Sequence, residues 1–516
     1  MTVSNSVLLC LDSGTTAVKA AAFDRQGQML CAVQRENRGL RRGGIQVEQD
    51  MEIAREDALA VLGACAARAN SIVDGILLTG QGDGLWPIDQ NREPVGSAIT
   101  WLDGRVRSLI AEPDLQGSLQ EIETVTGSRP TAASQSLHLL WLQRHDPERL
   151  KQIRHVLRLK EWLFYSLTER LLGEPSAALP VWGDWRTGET SRRVESALGL
   201  ERGLELLPEL VPVGACRATL SPQAAAALRL PSNVPVLLGP GDVHASLIGL
   251  GLGTRPGVTR ASIFGTSAIH GCHLQDPAAM REKPAGAIIQ KFVLGSGYLC
   301  THPSFNGATL LQHVRKLIAG VPERIEPCHS ELLLHPFFEP GGERAPYTTP
   351  HASGAIFGLT AAATPAQVAW AACEALAFIA RRSHEMMSAP AGALSLGGGL
   401  AGDPHFARFL ATVTGSTVQR STDGHAGLRG LGAIGAKFLY GEPPSTVAAN
   451  WIGAPDETMQ PQQGEIADYA NRKFVLFSRL VDAVSPLWET MSGIRSSVEV
   501  PTQSRSANRA AVGDYG

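Results

Sequence analysis

Two short turns rich in glycine and hydroxyl side chains are the parts of this chain best suited to chemistry. Asp12-Ser-Gly-Thr-Thr16 follows one apolar run, and Gly265-Thr-Ser267 follows another about halfway along the 516 residues. Glycine lets a ligand approach the backbone, successive N–H groups form a nest for an anion, and threonine hydroxyls add donors. The two turns therefore predict phosphate binding, with Asp12 holding Mg²⁺ beside the phosphates. The alternative for either turn is a hairpin tip whose side chains cap its own backbone.

An aspartate at the start of a predicted helix is the candidate general base. Residues 234–248 are typical of a strand, a turn containing Gly239-Pro-Gly-Asp242, and an apolar helix. A helix N-terminus stabilises the ionised carboxylate of Asp242, and a phosphoryl acceptor needs a group that positions it and takes its proton. The alternative is that Asp242 serves only as a helix N-cap.

Sequence patterns and charge exclude other nucleotide sites and other classes of partner. No GxxxxGK[ST] motif is present, and the glycines at 249–253 have no acidic residue at the spacing of a dinucleotide site, so neither a P-loop nor a Rossmann site is predicted. With 46 basic and 49 acidic residues, the chain has no field that would gather nucleic acid. It has no basic leader and no run of ~18 apolar residues, so we expect a cytoplasmic protein with no membrane partner.

The elements that must position these residues alternate between strands and helices. Apolar runs flank the first turn and predict a β-hairpin, and the second turn repeats this pattern. The expected elements are strands at 7–11, 18–23, 75–79, 234–238, 261–264 and 394–396, and helices at 51–69, 137–141, 161–172 and 406–413, the last beginning at Asp403-Pro404. The chain is therefore α/β or α+β, with two halves of similar plan.

In their order along the chain, these motifs resemble those of the FGGY family of carbohydrate kinases, within the superfamily of actin, hexokinase and the Hsp70 ATPase. The resemblance runs to about Gly441 and rests on Asp12-Ser-Gly-Thr-Thr16, Thr79-Gly-Gln-Gly-Asp-Gly84, Trp101-Leu-Asp-Gly-Arg105, Gly239-Pro-Gly-Asp242, Gly265-Thr-Ser267, Gly342-Glu-Arg344 and Gly397-Gly-Gly399. It implies two ribonuclease-H-like α/β domains with a cleft between them. Residues 1–245 would carry the polyol site and the first phosphate turn, 246–495 would bind the nucleotide, and 496–516 would be a flexible tail.

Carried over residue by residue, the resemblance implies ATP and Mg²⁺ as cofactors. Asp242 would take the proton from the substrate hydroxyl, and Asp12 would lie near Mg²⁺. The residues implied at the nucleotide are Thr15, Thr16, Lys19, Gly265, Thr266, Gly307, Gly397, Gly398 and Gly399. Those implied at the polyol or sugar are Gln81, Asp83, Trp101, Asp103, Arg105 and Asp242. Alternatively, Trp101 is a core residue and Asp103 forms a plain surface ion pair with Arg105.

The loop implied to contact the sugar indicates which branch of the family the chain resembles most. It carries Gly82-Asp83 where xylulose kinases have Met-His and glycerol kinases have Arg-Glu. Together with Gly44-Ile-Gln-Val-Glu-Gln-Asp50, this loop looks most like that of the erythritol kinases. The resemblance therefore implies phosphorylation of a primary hydroxyl of a small polyol, and erythritol is the first candidate for that polyol. Kinases for L-xylulose, D-xylulose or glycerol stay open as alternatives, and so does a homodimer.

Two alternatives belong to other classes of protein. An actin- or Hsp70-like ATPase would use the same phosphate turns to drive conformational change or assembly, and a degenerate, non-catalytic regulator would keep only the fold. The loop from Gln81 to Gly84 and the presence of both Asp12 and Asp242 favour a kinase. The sequence Leu400-Ala-Gly-Asp403 departs from the family's usual Ser or Lys after Gly399, so the resemblance assigns no adenine-contacting residues.

Overall fold

A computed structural model describes residues 6–276, 283–339, 342–349 and 351–497. Two large β-sheets, each packed against helices, make up its framework. Within these ranges, no helix combines the length and the apolar character needed to cross a bilayer. Of the tail expected from 496 onwards, residues 498–516 lie outside the described part of the chain.

The described residues form strands and helices in alternation, with a few single helical turns between them. The strands are β1 (Ser6–Ser13), β2 (Ala17–Asp24), β3 (Met29–Glu36), β4 (Leu40–Gly43), β5 (Gln46–Gln49), β6 (Ile72–Gly80), β7 (Trp86–Ile88), β8 (Ala98–Ile99), β9 (His155–Leu157), β10 (Leu172–Gly173), β11 (Gly183–Asp184), β12 (Glu189–Thr190), β13 (Glu209–Leu210), β14 (Arg217–Thr219), β15 (Pro235–Leu238), β16 (Val258–Phe264), β17 (Ala268–Leu274), β18 (Ile288–Lys291), β19 (Tyr298–Ser304), β20 (Leu333–His335), β21 (Ala355–Phe357), β22 (Ala393–Gly398), β23 (Val418–Arg420) and β24 (Glu457–Met459). The helices are α1 (Met51–Ala69), α2 (Arg107–Ile110), α3 (Gln116–Thr126), α4 (Gln135–His145), α5 (Pro147–Gln152), α6 (Leu159–Thr168), α7 (Pro175–Trp182), α8 (Arg192–Leu198), α9 (Pro222–Leu228), α10 (Asp242–Gly249), α11 (Thr309–Leu317), α12 (Pro365–Met386), α13 (Pro404–Thr414), α14 (Ala426–Phe438), α15 (Pro444–Thr446) and α16 (Glu465–Ser497).

The first sheet has the order β14-β15-β6-β1-β2-β3. The predicted hairpin is confirmed, because β1 pairs antiparallel with β2, while β6 runs parallel to β1 and β15 parallel to β6. The apolar run at 7–11 is buried on both faces, as expected for a central strand with parallel neighbours. Since side chains alternate along a strand, Leu9 packs on the side of α1 and Leu8 on the side of α14.

The second sheet, of order β18-β19-β17-β16-β22-β23-β24, repeats the plan of the first. The β16–β17 hairpin corresponds to β1–β2, β19 continues it antiparallel as β3 does, and β22 and β23 run parallel on the other side as β6 and β15 do. The predicted two halves of similar plan are therefore confirmed.

Helix boundaries follow local capping signals. Asp403 caps α13 by accepting from His405 N and Phe406 N, as predicted, with Pro404 as the first helical residue. The helix predicted at 161–172 is wrong at both ends. α6 begins at Leu159 and ends at Thr168, because Glu169 adopts a left-handed conformation with φ 57°.

Helices α10 and α14 cross in close contact between the two sheets. A Cβ on Gly249 would overlap the carbonyl oxygen of Ala426, and one on Gly430 would overlap that of Ala245. The residues of α14 that face β1 and those of α10 share one apolar core with residues of both sheets. The domain boundary expected between 245 and 246 falls within α10, so a single continuous helix joins the two halves.

Candidate active site

The first turn predicted to bind phosphate is held by one bond within the hairpin and by one from Trp101. Gly14 N–H donates to Ala17 O at 3.0 Å and closes the β1–β2 hairpin. The Thr15 hydroxyl accepts from Trp101 Nε1 at 2.8 Å, so it does not cap its own backbone as the alternative of a plain hairpin tip requires. Thr16 at the tip is exposed, and Lys19 faces Asp12 across the hairpin.

Three aspartates gather where neighbouring strands of the first sheet end. Asp12 lies near the end of β1, Asp83 follows β6, and Asp242 follows β15 as the first residue of α10. Burial, and then the negative charge of Asp12, raise the pKa of Asp242 to about 7. Burial raises the pKa of Asp12 to about 6 against the opposing effect of Lys19, and burial also raises the pKa of Asp83. The region is therefore one where protonation near neutral pH matters.

Asp242 is not the N-cap of its helix. Gly241 occupies that position, and the Asp242 carboxylate accepts from the adjacent Val243 N at 2.9 Å. The carboxyl group is therefore held at the helix start without being used to cap later N–H groups, and burial outweighs the stabilisation of its ionised form that the helix N-terminus was expected to give.

The glycine-rich loop at 80–84 lies against this aspartate. Thr79 Oγ1 donates to Pro240 O at 2.5 Å and ties the end of β6 to the turn before α10. A Cβ on Gly82 would lie 3.8 Å from Asp242 Oδ1. Gln81 is 1 % exposed, and its Oε1 has no hydrogen-bond partner within the described residues. The loop therefore offers a polar, sparsely filled surface beside the candidate base.

The second turn is backed by the loop after β19. Gly265 N donates to Ser267 O at 3.0 Å, and Gly265 O accepts from Ala308 N at 2.8 Å. A Cβ on Gly307 would lie 2.5 Å from the carbonyl carbon of Ser267, so only glycine permits this approach. Thr266 is exposed at the tip.

The glycines at 397–399 end β22 beside the second turn. Gly398 has φ +83°, and a Cβ there would lie 2.5 Å from Phe264 O. Gly398 and Gly399 are exposed, whereas Gly397 packs against Leu250. The backbone of Gly398 and Gly399 is therefore exposed next to the second turn.

Trp101, Asp103 and Arg105 share a loop but differ in their contacts. Trp101 is half-buried and bonded to the first turn, so it is neither a core residue nor free. Asp103 and Arg105 form a buried pair, not a surface one: the carboxylate also accepts from Val47 N at 2.7 Å, and Arg105 also reaches Glu48 at 2.6 Å. Both Asp103 oxygens accept hydrogen bonds within this network, so direct contact of this pair with a polyol stays a prediction.

Two arginines lie near Asp83, and neither was among the site residues that the sequence analysis predicted. The charges of Arg344, from the second half of the chain, and of Arg158 both lower the pKa of Asp83. Arg344 Nε is buried with no hydrogen-bond partner in the described ranges. Arg158 is 0 % exposed, with Glu161 Oε1 3.6 Å away. The motif Gly342-Glu-Arg344 marks Arg344 in the sequence, but nothing in the residues around Arg158 distinguishes it from a surface residue.

Glu343 holds the loop that carries Arg344. Its buried carboxylate accepts from Ser304 Oγ at 2.8 Å, Asn306 Nδ2 at 2.9 Å and Phe305 N at 3.1 Å. Burial raises its pKa to about 7. These bonds join the Arg344 loop to the loop of Gly307, so both lie fixed against the second turn.

Comparison with known proteins shows the family of the chain. Residues 7–249 match the FGGY family of carbohydrate kinases, N-terminal domain, and residues 261–437 match its C-terminal domain. The chain is 25 % identical to an erythritol kinase of Brucella abortus (strain 2308), over 95 % of this chain and 99 % of that protein. It is 27 % identical to a xylulose kinase of Escherichia coli (strain K12), over 92 % of this chain and 99 % of that protein.

The fold matches a solved structure over nearly its full length. A gluconate kinase from Lactobacillus acidophilus superposes with a TM-score of 0.85, covering 94 % of this chain and 99 % of that one at 19 % identity. At this identity the likeness shows the fold alone, which is the expected two-domain α/β fold.

Proposed function

Because the chain belongs to the FGGY family of carbohydrate kinases, we propose that it transfers the terminal phosphoryl group of ATP to a primary hydroxyl of a small polyol, with erythritol first. The observation that carries this proposal is the position of Asp242. It begins α10, lies beside the loop of Gln81 and Asp83, and is within electrostatic reach of Asp12 at the first turn. A base next to both a polyol loop and a phosphate turn fits a kinase.

Asp242 acts as the general base in this proposal. Phosphoryl transfer depends mostly on positioning and charge stabilisation, and the acceptor hydroxyl must lose its proton as the new bond to phosphorus forms. A carboxylate whose pKa is about 7 accepts that proton more readily than one of ordinary pKa, yet is substantially ionised at neutral pH. Asp242 would also orient the hydroxyl through the same hydrogen bond.

The residues present fit a magnesium nucleotide. Thr15, Thr16, Gly265 and Thr266 are the proposed phosphate contacts, with Lys19 nearby, and Gly307, Gly397, Gly398 and Gly399 adjoin the second turn. Ser13 Oγ, beside the first turn, is buried and has no partner in the described residues. Asp12 supplies the oxygen ligand that Mg²⁺ prefers. When bound, Mg²⁺ neutralises phosphate charge and ATP supplies the phosphoryl group.

The polyol loop supports a small substrate rich in hydroxyls. Gln81 and Asp83 present oxygen acceptors, and Gly82 between them adds no bulk. Arg344 would complete the pocket from the second domain as a donor facing Asp83. Erythritol fits this set because each of its four carbons carries a hydroxyl that can donate and accept. The resemblance of the loop to erythritol kinases supports the same choice.

The rate should depend on pH through Asp242. We expect kcat/KM for the polyol to fall about tenfold per pH unit as pH drops below about 7, because protonated Asp242 cannot take a proton. The direction of this pH dependence follows from the role of Asp242. A general base is inactivated by protonation at low pH, whereas a general acid would be inactivated by deprotonation at high pH. Initial rates between pH 5 and 9 at saturating ATP check this. A rate that stays level from pH 8 to pH 5.5 would contradict it.

Asp83 should govern the affinity for the polyol. We expect Asp83→Ala to raise the polyol KM by about 10- to 100-fold, since a hydrogen bond to a charged group is worth ~1.5–3 kcal/mol. The KM for ATP should change by less than about threefold. Asp114→Ala removes an exposed aspartate outside the cleft and is the matched control. Equal changes in both KM values would mean that the loop at 80–84 does not hold the polyol.

The experiment that tests the function is a panel of polyols and ketoses with ATP, scored by ADP release. Erythritol is expected to have a higher kcat/KM than glycerol, xylitol, L-xylulose or D-xylulose. If one of the others leads, the substrate is corrected and the kinase assignment stands. If ADP release is the same with and without every acceptor, the chain is an ATPase of the actin or Hsp70 type.

A further inference from the structure

A chain of three carboxamide side chains runs from the first phosphate turn to the polyol loop. Asn37 Nδ2 donates to Thr15 O at 3.1 Å and to Gly14 O at 3.4 Å. Gln49 Nε2 donates to Asn37 Oδ1 at 3.1 Å, and Gln81 Nε2 donates to Gln49 Oε1 at 3.3 Å. Gln49 and Gln81 are 0 % and 1 % exposed, so solvent does not compete for these bonds.

The orientation of all three side-chain amides is fixed by the first of them, that of Asn37. Asn37 faces two backbone carbonyl oxygens, which only accept, so the facing atom must be its nitrogen. Its oxygen then accepts from Gly39 N at 3.2 Å, a group that only donates. Gln49 must therefore turn its nitrogen to Asn37 and its oxygen to Gln81. The Gln81 nitrogen in turn donates to the Gln49 oxygen.

This orientation leaves the oxygen of the last amide in the series without a hydrogen-bond partner. Gln81 Oε1 is buried and accepts no hydrogen bond from any described residue. A buried carbonyl oxygen in that state costs free energy unless a ligand supplies a donor. The atom belongs to the loop whose Gly82 lies against Asp242, so a donor that reaches it lies beside the candidate base.

We infer that Asn37 and Gln49 are positioning residues that turn the Gln81 carboxamide so that its oxygen faces the polyol and accepts a hydrogen bond from a substrate hydroxyl. This inference rests on the proposed function and adds residues and a direction to it. Without the relay the Gln81 amide can rotate by half a turn and present its NH₂ group, which is a donor. The relay makes Gln81 an acceptor of fixed polarity beside the carboxylate of Asp83.

The relay of Asn37, Gln49 and Gln81 also links the turn proposed to bind phosphate with the loop proposed to bind the polyol. Asn37 holds the backbone of Gly14 and Thr15 in the phosphate turn, and the same side chain fixes the far end of the chain at Gln81. Both contacts lie within the first domain, so the acceptor is set before any nucleotide binds.

A double-mutant cycle tests the relay with the full-length chain and erythritol, or whichever polyol leads the panel. Gln49→Met keeps the length of the side chain and removes both hydrogen bonds. We expect it to raise the polyol KM by about 3- to 10-fold, with the KM for ATP changed less than about twofold. Gln81→Met should raise the polyol KM by about tenfold or more. The double variant should match Gln81→Met alone, because Gln49 acts only through Gln81.

The controls separate this route from a loss of structure. Gln143→Met removes a half-buried glutamine on α4 that bonds Gly199 O and Glu201 N, and it should leave both KM values unchanged. Melting temperatures are compared for all variants. If Gln49→Met does not fold, Gln49→Glu takes its place. Burial keeps a carboxyl group at this position protonated, so its O–H donates to Asn37 Oδ1 and its other oxygen accepts from Gln81 Nε2, and the polyol KM should stay within about threefold of wild type.

Two results would overturn the relay. The effects of Gln49→Met and Gln81→Met could multiply in the double variant, or Gln49→Met could shift both KM values alike. With Gln49→Glu, a rise in polyol KM as large as that of Gln81→Met would do the same. Failure of the proposed function is distinct, since ADP release by the wild-type chain would then be the same with and without every acceptor.

Discussion

Asp242→Asn should reduce turnover by about 10²- to 10⁴-fold while nucleotide binding persists. Asparagine has nearly the shape of aspartate and can still accept from Val243 N through its oxygen, as Asp242 does at 2.9 Å. It cannot take the proton from the acceptor hydroxyl. The effect should therefore appear in kcat, with the dissociation constant of ADP changed less than about threefold.

Steady-state rates and calorimetric titration with ADP check both halves of this prediction. The variant should also lose the acid limb of the pH profile, because that limb belongs to the Asp242 carboxyl. Asp114→Asn, at an exposed position outside the cleft, is the matched control and should behave as wild type. A variant at 242 that retains more than about half of wild-type turnover would remove this residue from the mechanism.

Gly249→Ala should lower both stability and activity strongly. The new Cβ would overlap the carbonyl oxygen of Ala426, which is backbone and cannot turn away, so α10 and α14 must separate. Overpacking of this kind costs about 1–3 kcal/mol or more. We expect a drop of several degrees in Tm and a loss of turnover of at least about tenfold, because the crossing joins the two domains between which the reaction must exclude water.

Gly63→Ala is the control for helical glycine replacement. Gly63 lies within α1, where an added Cβ would meet only Leu228 Cδ2 at 3.9 Å, an ordinary contact. Alanine should there stabilise the protein by about 0.4–1 kcal/mol with no change in rate. If Gly249→Ala has the Tm and the turnover of the wild-type protein, the close approach of α10 and α14 is not needed for function.

Local signals accounted for most of the framework. The two hairpins follow from apolar runs on either side of a glycine-containing turn, and α13 follows from an aspartate before a proline. These features depend on residues within a few positions of each other. The predicted end of α6 was wrong because glutamate is an ordinary helix former, and only the left-handed conformation of Glu169 ends the helix.

Contacts between distant segments account for what the sequence could not indicate. The amide relay joins residues 37, 49 and 81, which no spacing rule links. Arg344 and Asp83 approach from opposite halves of the chain. Asp103 looks like a surface residue in a polar stretch, yet its burial depends on Val47 N, a backbone group more than fifty residues away. Such partners are decided by tertiary packing and leave no local pattern.

The repeated hairpin gives the cleft a direction that the repeat itself lacks. Two positions before the turn glycine, the first hairpin carries Asp12 and the second carries Ile263. The first domain also supplies Asp83 and Asp242, whereas the second supplies Arg344. The turn of the first half therefore carries a carboxylate and the turn of the second half does not, although both follow one backbone plan. A ligand that carries a bound cation at one end therefore meets two unequal turns, and a pseudo-twofold molecule thus distinguishes head from tail.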